Sequence, residues 1–161
     1  MTAKAHPEAR VGHIHLKVAD LDRAIAFYSG VLGFKVTQRY GGTAAFLAAG
    51  DYHHHIALNT WESLGGTTPA PGSTGLYHVA FLYPHRAALG AAIKAVTQAG
   101  ILLDGAADHG VSEAVYLKDP DGNGIELYRD RSETDWPRDA NGDLAMINAP
   151  LDVAALIAEA E

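Results

Sequence analysis

The chain has 161 residues, 48% hydrophobic and 19% charged, a composition that suits one globular domain rather than a disordered segment. Its formal net charge of -7 argues against nucleic acid or an anionic membrane as the main partner, because both reward a basic face. Cysteine is absent, which removes disulfides and thiolate chemistry; no apolar run approaches a membrane span, and MTAKAHPEAR holds no apolar leader core, so a cytoplasmic setting is expected.

The first predicted element is a strand over Val11 to Val18, where Ile14, Leu16 and Val18 alternate with His13, His15 and Lys17. Asp20 is a candidate N-cap for the helix that follows, with Leu21, Ala24, Ile25 and Tyr28 at helical spacing and a stop at Gly30 or Gly33. FKVTQRY, AAFLAAG and YHHHIALNTW then read as three short strands. A Gly-, Pro-, Ser- and Thr-rich stretch at 62–75 reads as a loop.

The pattern then repeats. LYHVAFLY is a strand, PHRAALGAAIKAVTQAG a helix ending at Gly100, and ILLDG, SEAVYLKDP and GIELYRD three strands, the last two joined by the turn DPDGNG. The chain therefore looks duplicated in pattern rather than in letters. The expected fold is α+β: two tandem βαβββ modules forming a cup-shaped mixed sheet with helices on the outside. A single domain spans 10–131, with module 1 at 10–61, the loop at 62–75 and module 2 at 76–131. The extension 132–161 carries the short amphipathic helix PLDVAALIAEAE on the outside.

Strand parity locates the chemistry. If one face of the opening strand meets its helix, His13, His15 and Lys17 lie opposite. In the matching strand, Tyr77, Val79 and Phe81 should meet the helix, leaving His78, Ala80 and Leu82 opposite. In GIELY, Ile125 and Leu127 form the apolar face and Glu126 points away. A carboxylate in such a strand wants a partner, since an unpaired buried charge costs several kcal/mol. His13, His78 and Glu126 can thus converge on the concave side as two imidazoles and one carboxylate. That set leaves open coordination positions and suits Fe(II), with Mn(II) close behind and zinc also acceptable. The plainer alternative is that both are strand histidines satisfied by hydrogen bonds.

GHIHLKVADLDRAIAFYSGVLGF and YLKDPDGNGIELY resemble the vicinal oxygen chelate superfamily of glyoxalase I, bleomycin- and fosfomycin-resistance proteins and extradiol dioxygenases. The resemblance covers roughly Val11 to Arg131. It implies paired βαβββ modules holding a metal on His13, His78 and Glu126. Glyoxalase I typically adds a fourth ligand from the last strand of the first module, where this chain has Ala57. The order His109, Tyr116, Glu126 resembles the extradiol enzymes, in which a histidine and a tyrosine assist catalysis. The segment is most similar to bacillary-type catechol 2,3-dioxygenases, which usually carry two such domains.

On HHHIALN, His53 and His55 share the parity of Ala57 and should face the cup, with His54 outward. His55 is then a candidate acid–base residue, since an imidazole titrates near neutrality; a role as a further ligand is the other option. The implied activity is extradiol cleavage of a catechol-like vicinal diol by O2, with Fe(II) as cofactor and Mn, Zn or Ni as alternatives. His55 or His109 would act as base then acid, and Tyr116 as hydrogen-bond donor. The rivals are a glyoxalase-type metal-dependent lyase or isomerase and a non-enzymatic bleomycin-resistance-like binding protein. A homodimer is expected from the resemblance alone.

Overall fold

A computed structural model describes residues 4–160. The chain divides into two compact units, one of residues up to 29 with 33–67, the other of 30–32 with 68 onward. Each contains a four-stranded mixed sheet with helices, an α+β fold as the alternation in the sequence predicts.

The first sheet has the order β1-β4-β3-β2, from β1 (Ile14–Lys17), β2 (Lys35–Tyr40), β3 (Ala44–Ala48) and β4 (Ile56–Asn59). β1 and β4 are parallel and the other pairings antiparallel. Between β1 and β2 lies α1 (Leu21–Ile25), capped as expected by Asp20, whose carboxylate accepts from the Arg23 N–H at 2.9 Å. The helix continues as a π-helical stretch, Ala26–Val31, and ends at Gly33, whose φ of +80° is a left-handed conformation that glycine adopts without steric cost. Leu21, Ala24 and Tyr28 of the expected stripe are buried, joined by Phe27, whereas Ile25 is half-buried.

The second sheet repeats this order as β5-β8-β7-β6, from β5 (Val79–Leu82), β6 (Leu103–Asp108), β7 (Ser112–Lys118) and β8 (Gly124–Asp130). α2 (Arg86–Gln98) connects β5 to β6, and His85 caps it by accepting from the Ala88 N–H at 3.2 Å. Leu89, Ile93 and Val96 on α2 are fully buried, as are Ile125 and Leu127 on β8. At about 25 cal/mol per Å² of apolar surface, each such side chain contributes roughly 2 kcal/mol. After β8 come one 3-10 turn, Glu133–Asp135, and α3 (Val153–Ala158).

The two sheets share one register. Ile14 pairs with Ile56 and His15 with Ala57 in the first; Val79 pairs with Ile125 and Ala80 with Glu126 in the second. His13 and His78 therefore hold matching places, each one residue before its strand, and Ala57 is the counterpart of Glu126. Several expectations change: the strand expected over Val11 to Val18 is only Ile14–Lys17, and LYHVAFLY is a strand only over Val79–Leu82. YHHHIALNTW is a strand only from Ile56, and the three histidines form the bend before it. ILLDG begins pairing only at Leu103 and runs on to Asp108. Tyr77 lies before β5, 90% exposed, and does not meet the helix.

Gly90 marks where α2 and α3 touch. A Cβ at this position would overlap the Leu156 carbonyl oxygen of α3. Alanine favours a helix over glycine by about 1 kcal/mol, yet overpacking of a tight contact costs about 1–3 kcal/mol. The clash is with backbone, so the second term wins. Gly90→Ala should lower the midpoint of thermal unfolding and raise protease sensitivity of the C-terminal helix; an unchanged or raised midpoint would contradict this contact.

Burial pushes the Tyr83 phenol from 10.0 up to about 12. A raised acid pKa means the folded state holds the proton more tightly, so this stabilisation is present below pH 10 and fades towards pH 12. The two-unit difference amounts to about 2–3 kcal/mol. Ultraviolet titration should show one tyrosine ionising about two pH units above the exposed ones, missing in Tyr83→Phe.

Candidate metal centre and active site

The second unit brings four of the sequence-predicted site residues, His78, His109, Tyr116 and Glu126, into one chain of contacts. Glu126, in the middle of β8, has Ala80 of β5 beside it on one side and Tyr116 of β7 on the other. His78 Nε2 lies 2.9 Å from Glu126 Oε2, and the side chains are 33% and 12% exposed. The Tyr116 ring centroid is 6.0 Å from that of His78, and its hydroxyl lies 2.7 Å from His109 Nε2. Burial first, then the charge of Glu126 and a hydrogen bond with it, push the Tyr116 phenol above its ordinary value of 10.0. Tyr116 is accordingly protonated at neutral pH and serves as a donor.

This unit also has an open pocket of about 380 Å³, whose lining includes Tyr77, His78, Asp104, Tyr116, Lys118 and Gly124. Tyr77, Asp104 and Lys118 carry no sequence signal for such a place. Gly124 is legible only afterwards: a Cβ there would overlap the Tyr77 carbonyl oxygen and sit 3.0 Å from the His78 Cβ. Glycine at the start of β8 is what lets the chain before β5 approach, and so sets where His78 stands.

The donor chemistry fits a divalent metal. Two donors each about 2.1 Å from one ion and at right angles to each other stand about 3.0 Å apart; His78 Nε2 and Glu126 Oε2 are 2.9 Å apart. His78 Nδ1 is buried with no hydrogen-bond partner among the described residues. Proteins rarely leave a buried nitrogen so, and functional sites account for many exceptions. Among the described residues, neither unit gathers three or more His, Asp or Glu side chains into one metal-holding group.

The first unit collects five histidines. The His54 ring lies 4.5 Å from that of His13 and 5.1 Å from that of Phe46, rather than pointing outward as parity predicts. The reason is the bend, which breaks the two-residue alternation. Burial first, then the neighbouring His13, His53, His15 and His55, lower the His54 pKa below 6.5. His53 Nδ1 is 2.7 Å from His54 Nδ1, and His15 Nε2 is 2.8 Å from the Asn59 side-chain amide. The His55 backbone bonds to Leu47 and Ile14, joining β3 and β1. Its ring lies against Tyr52, and its Nδ1 accepts from the Ala49 N–H at 3.3 Å, so its neutral form carries the proton on Nε2. Lys17 pairs at the surface with Glu62, 3.7 Å away.

Residues 10–127 match the family model of the Glyoxalase/Bleomycin resistance protein/Dioxygenase superfamily, and the chain belongs to that family. It is 38% identical over 156 residues to a catechol-2,3-dioxygenase of Bacillus subtilis, covering 96% of this chain and 53% of that protein. The chain thus spans about half the length of that relative. It is 31% identical over 127 residues to a probable lactoylglutathione lyase of Vibrio parahaemolyticus, covering 76% of this chain and 91% of the other. Among solved structures, a glyoxalase/dioxygenase from Nostoc punctiforme superposes with a TM-score of 0.65 at 23% identity, covering 82% of this chain and 99% of that one. At that identity the likeness speaks for the fold alone. No helix among the described residues is long and apolar enough to cross a membrane.

Proposed function

We propose that the protein is an extradiol dioxygenase that opens the ring of a catechol-like vicinal diol with O2. His78 and Glu126 would hold Fe(II). The observation that carries this is the 2.9 Å approach of His78 Nε2 to Glu126 Oε2 beside the His109–Tyr116 pair. The likeness to the Bacillus catechol-2,3-dioxygenase supplies the substrate class. When bound, the ion supplies a Lewis acid that lowers the pKa of a coordinated diol and holds both reactants side by side.

The chain's own groups do the remainder. Tyr116 offers its phenolic proton to an oxygen of the reacting diol, and its raised pKa keeps that proton in place at neutral pH. His109, 2.7 Å behind it, takes and returns a proton through the same hydrogen bond. Of the two histidines expected in acid–base roles, His109 is the one joined to Tyr116, so the role is given to it rather than to His55. The pocket beside Tyr77, Lys118 and Asp104 is the space available for the ring.

The test loads the protein with Fe(II) without air, adds a catechol, then admits air. Yellow ring-fission product and uptake of one O2 per catechol are expected. No product from any of several catechols, at confirmed iron occupancy, would count against the proposal.

A second reading, a glyoxalase-type lyase, draws on one observation: the chain covers 91% of the Vibrio relative's length. Against it stands Ala57, which offers no donor at the place that matches Glu126. That reading predicts turnover of a hemithioacetal with Ni or Zn and no oxygen uptake.

A further inference from the structure

We propose that the C-terminal segment around Ile147 is a positioning element whose backbone carbonyl fixes the tautomer of His109. His109 sits in the tight turn between β6 and β7, closed by its N–H donating to the Ser112 carbonyl at 2.9 Å. Its Nδ1 lies 3.1 Å from the Ile147 carbonyl oxygen. A carbonyl only accepts, so that nitrogen must carry the proton. In the neutral ring Nε2 is then bare, and it is Nε2 that faces the Tyr116 hydroxyl at 2.7 Å. The tautomer follows from this contact: His109 donates to the chain at Ile147 and presents a bare Nε2 towards the Tyr116 hydroxyl.

The segment is held firmly enough for this. Ile147 N–H donates back to the His109 carbonyl at 3.0 Å, and Asp108 and Ala149 exchange two backbone hydrogen bonds of 2.9 Å each. Asp108 is itself fixed by Arg131 Nη2 at 2.6 Å and by the Gly110 N–H at 2.8 Å. Gly110, at φ +75°, has room for no side chain, since a Cβ would sit 2.7 Å from Pro137 Cγ and 3.2 Å from Ile147 Cγ1. Pro137 and Ile147 both lie beyond residues 10–127, the part that the family model matches. The device thus lies outside the part of the chain that the family model matches. Its catalytic consequence rests on the dioxygenase reading above; the tautomer does not.

The test is nitrogen NMR of full-length protein labelled with 15N-histidine, at a pH where the ring is neutral, with His109→Gln assigning the signals. Wild type should show Nδ1 protonated and Nε2 bare. Ile147→Pro removes the N–H that grips the His109 carbonyl and shifts the strap. It should move the ring towards the Nε2–H form and lower kcat about ten-fold with little change in KM. Ile147→Ala keeps the backbone and should behave as wild type in both respects. A wild-type ring protonated on Nε2 overturns the proposal, and that reading needs no variant to fold. So does an Ile147→Pro protein that keeps Nδ1–H and full kcat. If no catechol is cleaved by wild type while the Nδ1–H form is seen, the dioxygenase reading fails and the strap stands.

Discussion

Glu126→Gln should abolish ring cleavage while leaving the fold intact. The amide keeps the shape of the carboxylate and still accepts one hydrogen bond, but it loses the charge that makes the site a metal ligand set. We expect bound iron to fall from near one equivalent to near none, and kcat/KM to fall at least about 10³-fold, equivalent to about 4 kcal/mol of barrier. His78→Ala should do the same by removing the neighbouring donor at 2.9 Å. For Glu126→Gln the unfolding midpoint should change by only a few degrees, since the amide keeps the shape of the carboxylate and still accepts from His78. Gly124→Ala is the indirect version: the added methyl meets Tyr77 and His78, and should weaken metal binding by displacing His78 rather than by removing it. Iron retained at one equivalent in Glu126→Gln would show that the carboxylate is not a ligand.

Glu113→Ala should show the opposite profile, a large loss of stability. Glu113 is only 3% exposed, on β7. Its carboxylate is 2.7 Å from Arg129 Nη2, 3.4 Å from Arg131 Nη2 and 3.4 Å from Arg86 Nε. Arg131 is shared with Asp108 at 2.6 Å. Burial alone raises the Asp108 pKa, but the Gly110 N–H and Arg131 outweigh it, leaving the carboxyl below its ordinary 3.8. A depressed acid pKa means that this part of the stability is present above pH 3.8 and is lost as pH falls through the folded value. Removing the Glu113 charge strands Arg129, at 16% side-chain exposure, without its main partner. Breaking one side of a buried pair costs about 3–5 kcal/mol, or roughly 10 °C in a chain of this size. Replacing Glu113 and Arg129 together by methionine should recover much of the loss, because no buried charge is then left alone. A single Glu113→Ala change of less than a degree would show that solvent already screens the cluster.

The duplicated pattern was legible because period-two alternation and helical spacing are local properties. β1, α1 and β8 carry theirs within a few residues, and the Asp20 cap is a matter of one side chain. The same logic placed Ala57 opposite Glu126 across the repeat, and the shared register agrees. It failed at His54, where parity was carried back through a bend that has no two-residue period. The Glu113 cluster was invisible for a different reason. Its arginines come from α2, β8 and the residue after β8, and charge partners so far apart leave no local mark. The Ile147 carbonyl is beyond sequence reading altogether, since every residue has one and only the fold decides where it points.

The most direct measurement is the anomalous diffraction of crystals of the Fe(II)-loaded protein, recorded at the iron edge. A single peak within bonding distance of His78 Nε2 and a Glu126 carboxylate oxygen is the expected result. Iron lodged instead among His53 and His54, or no peak beside Glu126 at full loading, would contradict it.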